Sequence, residues 1–145
     1  MSFARSYLKY NYLAACLMES PIIILVDDDP DHLLVCKLIF ERRNFRVHTL
    51  NGFNTTDELI DQIKDLDPHL IFMDHEMPGI RGDAAIKALK AAPDTSHIPI
   101  IYFSATQDIE ELARHAGADA FIQKPFLIES LVSLAHKYNL AAPKL

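Results

Sequence analysis

The sequence predicts an α/β protein built on a doubly wound, five-stranded parallel sheet. Three observations carry that expectation. Strand-like and helix-like stretches alternate five times beyond Ser20. The first, third and fourth strands are almost wholly apolar, as parallel strands covered on both faces must be. Turn and cap residues separate the stretches, and right-handed crossovers then place helices on both faces of one sheet.

The elements follow in order. The first strand, 22–27, is an isoleucine-rich run that stops abruptly in Asp27, Asp28 and Asp29. Asp29-Pro30 then reads as an N-cap with proline at the first helical position, opening a helix over 30–43. A second strand at 45–50 leads into Asn54, Thr55 and Thr56, with Asp57 and Glu58 placed for the start of a helix over 56–66. The third strand, 70–74, ends in Asp74, and a helix over 82–91 follows. The fourth strand, 98–103, precedes Ser104. The stripe Ile109, Leu112, Ala113 and Ala116 predicts a helix over 107–116, closed by Gly117. A fifth strand at 119–122 and a helix over 126–139, with Leu127, Leu131, Leu134 and Tyr138 on one face, complete the pattern.

At 145 residues, half of them apolar, the chain suits one domain with a full core, spanning 21–140 and followed by a short tail at 141–145. No linker or second domain is expected. The formal net charge of −6 argues against sequence-independent nucleic-acid binding, and no run is long and apolar enough for a membrane span. Cys16 and Cys36 lack metal-ligand spacing and read as buried thiols of a cytoplasmic protein. Residues 1–20 form an extension. Its Leu13-Ala14-Ala15-Cys16 looks like a lipoprotein box, but the apolar stretch before it is short and holds Asn11. The residues Phe3, Tyr7, Tyr10, Ala14 and Leu17 instead trace one helical stripe, fit to dock on the domain or on a second copy in a homodimer. The rival reading is an upstream extension before a start at Met18.

Chemistry concentrates at four strand ends. Asp27 and Asp28, Asp74, Ser104 and Lys124 each lie at or just past a carboxyl end, where open α/β sheets bind ligands. Carboxylates crowded there repel by roughly 4 kcal/mol per pair at ~4 Å and an effective dielectric of ~20, which a hard cation relieves. Three carboxylates suit Mg²⁺ with phosphate oxygens, a hydroxyl and an ammonium suit the rest of a phosphoryl group, and one carboxylate can act as nucleophile.

The segments Ile-Leu-Val-Asp-Asp-Asp-Pro at 24–30, Asp-His-Glu-Met-Pro-Gly at 74–79, Ser-Ala at 104–105, Ala-Gly-Ala-Asp at 116–119 and Lys-Pro-Phe at 124–126 carry a resemblance. In this order and spacing they resemble the receiver domain of two-component response regulators, over essentially all of 22–139. The resemblance implies a flavodoxin-like sheet of order 2-1-3-4-5. It implies Asp74 as phosphoacceptor from a phosphohistidine of a sensor histidine kinase or phosphotransfer protein. Asp27, Asp28, Asp74 and the backbone carbonyl of Glu76 would hold Mg²⁺, and Ser104 and Lys124 would bind the phosphoryl group. Phe121 would be the aromatic that follows Ser104, and Lys124-Pro125 would be cis. Such a protein signals to a downstream partner and is no enzyme beyond its own phosphotransfer and dephosphorylation.

Three features depart from the family pattern. The stretch from Ser104 to Lys124 is short, so the fourth helix or its leading loop should be trimmed. The loop at 51–56 is long. Phe121 lacks the hydroxyl of the commoner tyrosine, so a switch here rests on packing. Two other readings stay open. One is a pseudo-receiver that binds partners unphosphorylated. The other is a haloacid-dehalogenase-like phosphatase using Asp27 and Asp29, which leaves Asp74 unexplained and finds only Glu129 as a later acid. His75 reads as a rim residue, Phe126 as core, and His32, His48, His69, His97, His115 and His136 as surface.

Overall fold

The computed structural model describes residues 5–10, 20–77 and 79–141. Five parallel strands, β1 (Ile22–Val26), β2 (Arg46–Leu50), β3 (Leu70–Asp74), β4 (Ile100–Ser104) and β5 (Ala120–Gln123), form one sheet of order β2-β1-β3-β4-β5. Five helices alternate with them: α1 (Pro30–Glu41), α2 (Thr56–Leu66), α3 (Gly82–Ala91), α4 (Ile109–Ala116) and α5 (Ile128–Ala141). Every strand pairing is parallel, with Leu25 opposite Phe72 and Met73 opposite Tyr102 across the central strands.

Because strand side chains alternate in direction, each apolar strand feeds two cores. Ile24, Val26, Ile71, Met73, Ile100 and Tyr102 point to the face packed by α2, α3 and α4. Ile23, Leu25, Leu70, Phe72, Ile101 and Phe103 point to the face packed by α1 and α5. All five residues of β3 and of β4 are buried, which is what the unbroken apolar runs required.

Caps act where the sequence placed them. The Asp29 carboxylate accepts from the Asp31 and His32 amides, Pro30 opens α1, and Thr55 Oγ accepts from the Glu58 amide to cap α2. Gly117 closes α4 at φ +85°, a conformation that suits glycine. With eight residues α4 is the shortest of these five helices. It begins at Ile109, not 107, since 107–108 are turn.

Three expectations need correction. β4 starts at Ile100, because Ile98 is drawn into a turn by its amide bond to Thr95 and Pro99 has no donor. The last helix starts two residues late, so Leu127 precedes it and is 70% exposed; Leu131, Ala135, Leu134 and Tyr138 pack instead. α1 ends at Glu41, where Asn44 takes a positive φ of 67°.

Cys36 is buried, and Cys16 lies outside the described residues. Of the N-terminal stripe, residues 5–10 are helical with Tyr7 and Tyr10 exposed; Phe3, Ala14 and Leu17 lie outside the described residues, as does the tail beyond 141. No described helix is long and apolar enough to cross a membrane.

Candidate phosphoryl site

From β1 the chain crosses through α1 to β2 on one side, and from β2 it crosses back through α2, past β1, to β3 on the other. The chain thus diverges between β1 and β3, and a crevice opens beyond their carboxyl ends. Asp27 stands just past β1 and Asp74 is the last residue of β3, so both walls end in a carboxylate. Asp27 is 1% and Asp74 4% exposed, whereas Asp28 is open to solvent. Carboxylate oxygens of Asp27, Asp28 and Asp74 all lie within 4.8 Å of one another. Ser104 ends β4. Lys124 follows β5, its amide bonded to the Ser104 carbonyl at 2.8 Å, and the Lys124-Pro125 bond is cis. Asp27, Asp28, Asp74, Glu76, Ser104 and Lys124 line one small cleft of ≈ 190 Å³.

Charge in the cleft is partly neutralised from within. Lys124 Nζ donates to Asp74 Oδ1 at 2.9 Å and stands 3.8 Å from Asp27 Oδ2, with its ammonium over the Phe103 ring. Burial raises the Asp74 carboxyl above its ordinary pKa and nearby Asp27 adds to this, against the lowering hydrogen bond from Lys124. Burial also works to raise Asp27, but hydrogen bonds from His32 and the Asp29 amide, with the Lys124 charge, hold it below the ordinary value. Ser104 Oγ accepts from the Thr106 amide at 3.1 Å.

The donor set fits a hard dication. Three clustered carboxylates offer only oxygen, and the cleft beside them has room for water and phosphate ligands. Asp29 is taken up by its cap, so it does not join them.

Phe121, the aromatic expected to follow Ser104, stands on the edge strand next to β4. Phe121 lies on the far side of β5, 39% exposed, lining a groove against α4 and not the cleft.

Two residues of the site went unread in the sequence. His32 was assigned to the surface, but its Nδ1 contacts Asp27 Oδ2 and its Nε2 lies 3.5 Å from Cys36 Sγ. Side chains in a first helical turn lean back toward the N-terminus, and α1 starts just beyond Asp27, which is the signal that pointed there. His69 is likewise not idle at the surface: its Nδ1 accepts from the Ile22 amide at 2.9 Å. His75, on the rim, contacts the hydroxyl of the fully buried Tyr102. The second unread residue is Gly82, whose amide bonds the His75 carbonyl at 3.1 Å and which sits hard against the backbone of Asp74.

The His32 contact has a consequence for stability. The hydrogen bond to Asp27, then that to Cys36, raises the imidazole from 6.5 to about 9. A raised folded-state pKa gives stabilisation that is complete below about 6.5 and lost as pH climbs through about 9. In chelator-treated protein, His32→Gln should therefore flatten the decline in unfolding free energy across that window, measured by urea denaturation at stepped pH. An unchanged alkaline slope would sever the link.

A parallel sheet of this order, with an acid-and-lysine cleft at its switch point, defines the class of doubly wound α/β proteins that bind anionic groups at their strand ends. The chain belongs to the response regulator receiver domain family, whose model matches residues 23–136. It is 30% identical over 118 residues to the phosphate regulon transcriptional regulatory protein PhoB of Escherichia coli, covering 80% of this chain and 50% of that protein. The chain thus spans about half the length of the PhoB proteins it matches. The polar-differentiation response regulator DivK of Brucella anthropi is 27% identical, covering 80% of this chain and 94% of DivK. Among solved structures, the signal receiver domain of a signal transduction histidine kinase from Syntrophus aciditrophicus superposes with a TM-score of 0.77 at 26% identity, covering 87% of this chain and 95% of that one. Family membership removes the dehalogenase-like alternative.

Proposed function

We propose that the protein is a phosphoacceptor of a two-component pathway, taking a phosphoryl group onto Asp74 from a phosphohistidine of a sensor kinase or phosphotransfer protein. The observation that carries this reading is the convergence of Asp74 with Asp27, Asp28 and Lys124 in one cleft. Asp27, Asp28, Asp74 and the Glu76 carbonyl would hold Mg²⁺, which when bound offsets the negative charge of nucleophile and phosphate.

The chain's own residues do the rest. An Asp74 carboxylate oxygen forms the bond to phosphorus as the phosphorus–nitrogen bond to the donor histidine breaks, and the donor imidazole leaves with the bonding pair. Lys124, already on Asp74, pairs with the transferring oxygens, so no strong base is needed; positioning and charge carry the transfer. Ser104 Oγ–H donates to the new phosphoryl oxygens. Phe121, turned outward, is the group whose inward rotation would report that change on the β5 edge. The chain is then a participant in transfer and not an enzyme acting on separate substrates.

Incubation with acetyl phosphate should add one phosphoryl mass in Mg²⁺ and none in chelator, and Asp74→Asn should take none. Labelling that persists in that variant would reject the assignment, and no labelling at all would favour a pseudo-receiver.

A further inference from the structure

Apart from the cleft, the molecule carries a second concavity, a groove of ≈ 670 Å³ between α4 and β5. β5 is an edge strand, so Phe121 lies open there at 39% exposure. The rim is acidic: Asp108, Glu110 and Glu111 line it with Arg114, Glu111 lies 3.5 Å from His115 with both side chains about two-thirds exposed, and Asp119 is taken by Lys90 at 2.7 Å. An apolar floor under an acidic rim fits a cationic segment with aromatic anchors.

The chain itself contains such a segment. Residues 1–18 hold Arg5 and Lys9 but no acid, in a protein whose net charge is −6, and they carry Phe3, Tyr7, Tyr10 and Tyr12. Residues 5–10 are helical, with Tyr7, Leu8 and Tyr10 between 67% and 73% exposed, so their apolar side has no cover in this arrangement. At helical spacing Tyr7 and Tyr10 share one side and Arg5 and Lys9 lie toward the other. Reach is sufficient. β5 lies three strand positions from β1, ~14 Å across the sheet, and the nine residues 11–19 can span up to ~30 Å. Another exposed apolar patch, Leu34, Val35 and Leu38 on α1, is ringed by mixed charge, with Asp31 and Glu41 set among Lys37, Arg42 and Arg43 and Glu41 already 3.8 Å from Lys37.

We propose that the N-terminal segment, residues 1–19, docks onto its own domain in the groove between α4 and β5, with Tyr7 and Tyr10 against Phe121 and Arg5 and Lys9 toward Glu110 and Glu111. The long basic stems reach the rim while the rings fill the floor. Tethering puts the segment at an effective concentration on the order of millimolar, so even a contact with Kd ~0.1 mM is made about ten times out of eleven. Docking covers Phe121, so any partner of that edge must first displace the segment. It holds whether or not Asp74 accepts phosphate.

Hydrogen exchange on the full chain tests this by charge swap. Glu110→Lys with Glu111→Lys should speed amide exchange in residues 3–17 about tenfold, and adding Arg5→Glu with Lys9→Glu should restore protection. These sites are exposed, and unchanged exchange in β1 and β3 verifies that the variants fold. In the unaltered protein, carbodiimide should couple Lys9 to Glu110 or Glu111 within single chains, at a yield independent of dilution. Equal exchange in the first two proteins would overturn the proposal. So would coupling or protection that rises with protein concentration, which would assign the groove to a second copy.

Discussion

Gly82→Ala should destabilise the protein by about 3 kcal/mol and lower Tm by ~10 °C, the largest effect of any small substitution outside the two cores. A Cβ at position 82 would stand 2.1 Å from the Asp74 carbonyl oxygen and 2.9 Å from both the Asp74 carbonyl carbon and His75 Cα. All three are backbone atoms at the end of a fully buried strand, so no side-chain rotation relieves the clash. Either α3 moves away from the sheet or the end of β3 shifts, and the second displaces the phosphoacceptor itself. Gly52→Ala is the matched control. Its added carbon meets nothing within 4 Å, so it should stay within ~0.5 kcal/mol of the parent. Thermal unfolding of the two variants side by side checks both figures. Equal Tm values would mean that α3 does not pack on Asp74 as described.

Lys124→Met should slow phosphorylation of Asp74 by about 10²–10³-fold, the usual consequence of removing one preorganised donor from a developing anionic centre. The lysine is the cation closest to Asp74, at 2.9 Å, and stands 3.8 Å from Asp27 as well. Its loss returns the carboxylates to mutual repulsion, which a dication can relieve. Mg²⁺ should accordingly bind the variant more tightly than the parent while transfer collapses. Opposite movement of the two quantities separates loss of charge stabilisation from simple damage to the cleft, which would weaken both. Initial rates with acetyl phosphate and a Mg²⁺ titration followed by NMR supply the two readings.

Much of this was legible in the chain because its cause is local. Apolar runs that stop in a carboxylate fix both strand and strand end, and Asp29-Pro30, Thr55 and Gly117 fix helix ends through bonds made within a few residues. The convergence of Asp27, Asp74, Ser104 and Lys124 follows from parallel strands alone, since each then delivers its terminal residue to the same edge. What stayed hidden depends on contact across elements. His32 reads as one of several scattered histidines until α1 is set beside Asp27. Gly82 looks like a poor helix residue until α3 is laid on β3, although a glycine inside a helical pattern was itself a sign of close approach. Leu127 fitted the apolar spacing of α5, but the chain drives Phe126 inward before the helix starts and turns Leu127 out.

Borohydride trapping of the phosphorylated protein, followed by peptide mapping, tests the central claim most directly. An acyl phosphate on aspartate is reduced to homoserine, so the modified position identifies the acceptor. Homoserine at position 74 alone, formed with Mg²⁺ and absent in chelator, is the predicted result. Modification at position 27 or 28 instead, or at position 74 to the same extent in chelator, would contradict it.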